Sequence, residues 1–402
     1  MAISASGAVS LADFRTEFVG GSSAISLGDL YRGGSNIKAK AGNNNADNLA
    51  ANIPSSGAID FADFYSQAKG FRKTYSSGAT NQDASDIFGS DYGVNYPKEI
   101  IINSGVELGA TSTSQEALQI DSGLSGGLTI TNNGILSGAG GAANGGAGGD
   151  AFQADVSCTL INNGTIRAGG GGGGAGGAGG AGGTGGQGQT SSSAPGSWSG
   201  YQSSLYYPQY GVQYANGYGW QWYWGSNISV HTSSAMGVIS GGYEYERSSS
   251  ASVYHLGHVV IYLYPARRRQ QSVTTYYYHN GGGGGSGSAG GAGGRGQGYG
   301  QSSASGSSGS GGSGGSGGGS NAGSGGTGGT GGTGGSGGGY GASGSTGNGG
   351  ATGNSGGNGN HTNGSGGSGG SSGSGGGASG KYIRGISNIT FTNSGTVQGG
   401  TA

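Results

Sequence analysis

Side chains able to do chemistry are few in this chain, and their spacing works against most reactions. Glu244 and Glu246 lie two apart in an alternating run, so a strand would put both carboxylates on one face, as a glycosidase needs of its acid and base. Arg247 follows at once, and adjacent carboxylates beside an arginine on one strand read as surface charge rather than as a cleft. His255 and His258 are three apart; in a strand they face opposite ways and cannot share a metal ion. Cys158 is the single cysteine, which excludes an internal disulfide and a thiolate metal site. Its alternating surroundings make it a small buried strand residue. Gly-x-Gly-x-x-Gly strings recur, but none joins a hydrophobic strand to an apolar helix as a nucleotide loop must. Residues 145–152 fit a calcium-binding nonapeptide once, and that site needs stacked copies. Asp13, Asp29 and Asp63 recur at a fixed offset in a repeated segment, which local structure explains. No catalytic residue, metal site or cofactor is expected, and the chain reads as a non-enzyme.

Aromatic residues are more suggestive. Tyr218, Trp220, Trp222 and Trp224 alternate, so one strand face would carry four rings, suited to stacking on sugar faces or to the core of a region poor in other apolar residues. Tyr201, Tyr206, Tyr207 and Tyr210 occupy a turn-rich stretch and are expected to be exposed. Together with Tyr299, Tyr340 and His361, which fall at breaks in glycine-rich sequence, they form the set of candidate contact residues.

These residues need elements to position them. Residues 6–14 recur as 56–64, with a shorter relative at 24–31, and the shared pattern is Ala, branched apolar, Ser or Asp, apolar, small, Asp, apolar. In each copy the Ser or Asp can cap a short helix whose apolar residues face inward. Single capped turns need neighbours. Residues 1–70 therefore read as a docking module, and residues 1–95 as the part that attaches to a larger body. A second repeat, around Asn132-Asn133-Gly134, Asn162-Asn163-Gly164 and Asn393-Ser394-Gly395, runs apolar alternation into an Asn/Gly turn and a short second strand. That pattern predicts β-hairpins, forming a platform over 96–170 that 381–402 complete.

Between those two pieces the glycine tracts keep strict phase. Residues 173–186 and 325–338 carry a non-glycine residue at every third position, which a flexible linker has no reason to maintain. Period three matches a polyproline-II-type helix. Collagen is excluded, since only 5 prolines occur in the whole chain and none falls in the tracts. With two bare edges of three, neighbouring helices can exchange backbone hydrogen bonds, which makes a polyglycine-II bundle over 171–189 and 281–380. Breaks near 301–308, 320–322, 340–346 and 358–363 cut it into segments that fold back on one another. Residues 190–280, holding all 4 Trp, read as an inserted antiparallel β domain. The predicted fold class is thus mainly β with a polyglycine-II helix bundle and a small N-terminal module of short helices.

Charge narrows the partners. Sixteen basic against 17 acidic residues leave a net charge of −1, which offers no field to hold nucleic acid or an anionic membrane; Arg267-Arg268-Arg269 reads as a solvated turn. No run of apolar residues is long enough to cross a membrane, and the N-terminus lacks a charged leader, so assembly in the cytoplasm is expected.

Residues 25–32 and 53–65 resemble a short module common in tail-fibre and other virion proteins of tailed phages. Residues 145–152 and 160–174 resemble the distal part of phage tail-tip and central-fibre proteins, and the glycine-rich texture is similar to that of T-even-type phage adhesins. The resemblance covers 1–70, 96–190 and 281–402. It implies a virion protein, a tail fibre or tail-tip adhesin, partnered by other virion proteins and by a bacterial surface receptor, glycan or outer-membrane protein. It implies either a trimer or a single chain on a trimeric stem, with loops at the distal ends of the glycine helices touching the receptor. A purely structural virion component and a polysaccharide depolymerase are the competing readings.

Overall fold

The computed structural model describes residues 3–42, 45–197 and 273–402, together with the strands Tyr210–Tyr214, Trp220–Tyr223, Val238–Ser240, Tyr243–Arg247, Ser252–Leu256 and Val259–Gln270. The chain is mainly β, with a few short helices.

Three capped turns build the N-terminal module. They are Leu11–Phe14, which widens into Arg15–Val19, and the tighter Leu27–Leu30 and Phe61–Phe64. Ser10 with Asp13, Ser26 with Asp29, and Asp60 with Asp63 each form a reciprocal capping box, so the repeated aspartates serve the helix starts. Phe14, Phe18, Leu30 and Phe64 are fully buried in one small core with Ile3, Ile37, Ala50 and Ile53.

From Phe71 the chain coils. Its first rung is Phe71–Tyr75, Ala79–Thr80 and Gln82–Asp83; the second is Lys98–Ile102, Glu107–Gly109 and Leu118–Ile120. The third is Leu128–Asn132, Ile135–Ser137 and Phe152–Ala154; the fourth is Cys158–Asn162, Thr165–Arg167 and Lys381–Arg384. The last is Ile389–Asn393, Thr396–Gln398 and Gly400–Thr401. Every pairing between successive rungs is parallel, so three sheets wrap one apolar interior. Residues 71–91 thus belong to this coil, whereas the repeat-based division put them with the attachment module.

The expected hairpins are absent from these positions. The strands before and after each Asn/Gly turn lie in different sheets, and the turns are corners. A tight hairpin turn needs positive φ, and Asn133, Gly134, Asn163, Gly164 and Gly395 all have negative φ. Glycine serves here to let corners stack. A Cβ on Gly164 would lie 2.1 Å from the Gly134 carbonyl oxygen, and one on Gly395 2.1 Å from that of Gly164. Inside the corner, the Asn132 amide donates to Asn162 Oδ1 at 2.7 Å, and the Asn162 amide to Asn393 Oδ1 at 2.7 Å. Like residues must therefore sit in register, rung on rung. Cys158 is buried in its strand. Lys98, 1% exposed, gives its ammonium to the carbonyls of Val94, Tyr96 and Ser125 at 2.8, 3.0 and 2.8 Å, and burial pulls its pKa down to about 8.

Between Arg167 and Lys381, in the same rung, the glycine-rich tracts leave and return. They run over 169–187, 281–297, 302–318, 322–339, 342–359 and 363–380, and they take neither α-helix nor strand. Backbone bonds join them at every third residue. Gly179 N donates to Ser288 O at 2.8 Å, Gly180 N to Ala351 O at 2.9 Å, and Gly329 N to Gly180 O at 2.7 Å. Ser371 N donates to Ala178 O at 2.8 Å, while Ser371 Oγ accepts from Ala178 N at 2.7 Å. The tract 169–187 thus bonds to four others, and serine hydroxyls serve the amides that carbonyls do not reach. The turns at Gly298–Gln301 and Tyr340–Gly341 lie beside the coil; those near Asn321 and Asn360 lie at the far end. There, Gly188–Ala194 and Val273–His279 pair antiparallel and carry the chain out to the aromatic insert and back. The insert's described strands also pair antiparallel.

Close approach makes individual glycines decisive. A Cβ on Gly329 would lie 2.1 Å from Ala351 O, whereas one on Gly314 would meet nothing within 4 Å. Gly329→Val should lower the thermal unfolding midpoint by roughly 5 °C or more, as overpacking of about 2–3 kcal/mol implies. Gly314→Ala should leave it unchanged; equal midpoints for the two variants would contradict the packing.

Hydrogen bonds from Ser10 and Ser26 hold the Asp13 and Asp29 carboxyls below their usual pKa of 3.8. Folded values below unfolded ones mean stability that is present above that value and lost as pH falls through the folded pKa. An acid titration of the isolated module's circular dichroism should show this loss, and Asp13→Asn with Asp29→Asn should flatten it.

Candidate docking and recognition surfaces

At the N-terminal end the three capped turns close on one another. Arg15 Nη1 of the first copy donates to Ser22 O, beside the second copy, at 3.5 Å. Tyr31 of the second copy donates its hydroxyl to Gly57 O in the third, and Tyr65 of the third donates to Gly7 O in the first at 2.5 Å. Three like units joined first to second, second to third and third to first close a ring. Phe14 and Phe64 stack at its centre, 4.2 Å between ring centroids. Phe61 keeps an exposed edge. The repeat was readable in sequence, but the ring depends on Arg15, Tyr31 and Tyr65, the residues that directly follow the four-residue turns Leu11–Phe14, Leu27–Leu30 and Phe61–Phe64.

A second constellation fastens the glycine tracts to the coil. Arg167 donates to Glu107 Oε1 at 2.8 Å and to Ser137 Oγ at 2.8 Å, and its guanidinium lies 3.9 Å from the centre of the Tyr340 ring. Burial pushes the Tyr340 hydroxyl up from its ordinary pKa. The Tyr299 ring lies flat on Gly109, where a Cβ would come within 2.0 Å of a ring carbon. Both tyrosines therefore occupy the coil end of the tracts and act as packing, a placement that their position at sequence breaks does not reveal.

The far end gathers different residues. His361 N donates to Gln187 O at 3.1 Å, and the His361 ring packs against Tyr278, centroids 4.8 Å apart. Asn360 brackets Gln189, accepting from its N at 2.6 Å and donating to its O at 2.8 Å, while Asn321 donates to the same carbonyl at 3.3 Å. Tyr276, Tyr277 and Tyr278 stand 55%, 52% and 58% exposed on the outgoing ribbon. Sequence reasoning placed these three in the inserted β domain without marking them as contacts; their position next to His361 is set by bonds between tracts far apart in the chain. Tyr210 lies on a described strand, and Tyr201, Tyr206 and Tyr207 lie outside the described residues.

Among the described residues no cluster of three or more His, Cys, Asp or Glu could hold a metal ion, and no helix is long and apolar enough to cross a membrane. No curated protein and no solved structure gives a significant match to this chain. One family model does, that of the phage tail fibre adhesin Gp38, over residues 70–262. The match begins where the coil begins and runs through its first three rungs, two of the three strands of the fourth, the first glycine tract and most of the aromatic insert. A coil and glycine tract matched in one continuous stretch make the chain phage tail-fibre adhesin-like over residues 70–262.

Proposed function

We propose that this protein forms the host-contacting tip of a tailed-phage fibre, with its N-terminal module seated on the fibre and its far end presented to a bacterial surface receptor. The observation that carries the reading is the adhesin-family match over residues 70–262. The geometry supports a division of labour. A ring of three like units lets a single chain mate with the end of a three-fold stem, so one copy serves where a trimer would otherwise be needed.

The tracts are read as polyglycine-II helices holding the far end away from the coil. In support, their interior glycines have negative φ, and their lateral bonds recur every third residue, the period of such a helix. At about 3.1 Å per residue, a seventeen-residue tract spans roughly 50 Å. The described residues at the far end are mostly tyrosines, amides and hydroxyls, joined by His279 and His361, groups suited to bind and orient a ligand. Binding without turnover is the proposed activity.

A fragment starting at residue 70 tests the division, because it keeps the first rung intact, as one starting at 96 would not. It should bind cells of the phage's host as well as the full chain does, yet fail to enter virions when supplied in place of it. A fragment that folds and is incorporated, or that loses cell binding, would overturn the assignment, and a full chain that binds no host cells would leave a purely structural role.

A further inference from the structure

Among the described residues only four large apolar side chains are exposed, and three of them, Tyr276, Tyr277 and Tyr278, are consecutive at the far end of the glycine tracts. Strand alternation puts Tyr276 and Tyr278 on one face, and His361 packs beside Tyr278. The opposite strand contributes Gln189, Thr190 and Ser191 directly across from them. Thr190 Oγ1 lies 3.0 Å from His279 Nε2, and the ribbon is held by Asn321 and Asn360 from two separate turns. The patch is therefore aromatic in its middle, rimmed by amides and hydroxyls, and fixed to a rigid support.

Formal charge is nearly absent around it. Across residues 168–197 and 273–380 the single charged side chain is Arg295, and its tract position pairs with Ala304, at the coil end. A ligand bearing carboxylates, phosphates or ammonium groups would find no counter-charge on these residues and would lose solvation without recompense. A ligand with flat C–H faces and many hydroxyls suits it, since the rings cover the faces and the rim meets the hydroxyls. We infer that Tyr276, Tyr278 and His361 form a binding surface for a neutral saccharide, the glycan of the bacterial surface. This rests on the adhesin reading above and names its ligand class.

The test uses the full chain and two fractions from host cells: neutral polysaccharide released by mild acid and freed of phosphate, and purified outer-membrane proteins in detergent. The polysaccharide should bind, with affinity changing less than about twofold between low and high salt, because no ion pair is screened. The Tyr276→Ala/Tyr278→Ala variant should lose at least tenfold in affinity with an unchanged unfolding midpoint, since both rings are exposed, and Tyr276→Phe/Tyr278→Phe should retain most of it. Binding to the protein fraction instead of the polysaccharide, steep salt dependence, or full affinity in the double-alanine variant would each overturn the saccharide assignment while leaving the adhesin reading in place. Failure of the unaltered chain to bind host cells at all would remove both.

Discussion

A missing Cβ is the condition on which the distal half of this molecule rests. Glycine tracts have almost no apolar surface to bury, so their order cannot come from the hydrophobic effect that holds ordinary domains together. Backbone groups take over that role. Two bare edges let each tract approach its neighbours until amide and carbonyl meet, and the third edge carries a small side chain that often completes the set with a hydroxyl. The tract 169–187 bonds to four others, so it organises the rest. A side chain on almost any of its glycines would collide with a carbonyl near 2 Å.

The coil solves the same problem in reverse. There an interior of Ile, Leu and Phe supplies ordinary burial, and parallel pairing satisfies the backbone between rungs. Glycine appears again at corners, for the same reason of close approach, while asparagine amides make the ladder that keeps corners in step. Arg167 and Tyr340 join the two regimes, one from the last strand before the tracts and one from a turn between them.

Much of this could be read from the chain before any coordinates. Strict phase in the glycine tracts and the duplicated capped turns were legible because both are local patterns, and the capping aspartates do what their offset suggested. The direction of strand pairing was not legible, since alternation followed by Asn and Gly signals a hairpin and a coil corner alike. Telling them apart needs the φ of Asn133 and Gly134, or the knowledge that copies thirty residues apart stack on each other. Contact residues were the least legible. Tyr299, Tyr340 and His361 look equivalent as breaks in glycine phase, yet two tracts lie between the first pair and one between the second, which leaves Tyr299 and Tyr340 at one end and His361 at the other. A small change in tract count would exchange those fates.

The tracts leave the coil after Arg167 and re-enter at Lys381, neighbours in one rung. A pull on the far end therefore reaches the coil along two chains at once, arriving at two faces of the same turn. Within the tracts the lateral bonds lie across the pull, so neighbouring tracts are loaded in shear and many bonds must yield together, whereas peeling would break them singly. Mechanically the distal half is a closed loop clamped at its base. It can be widened or narrowed by whole pairs of tracts without moving the clamp, which gives the molecule an adjustable breadth at its far end with an unchanged attachment.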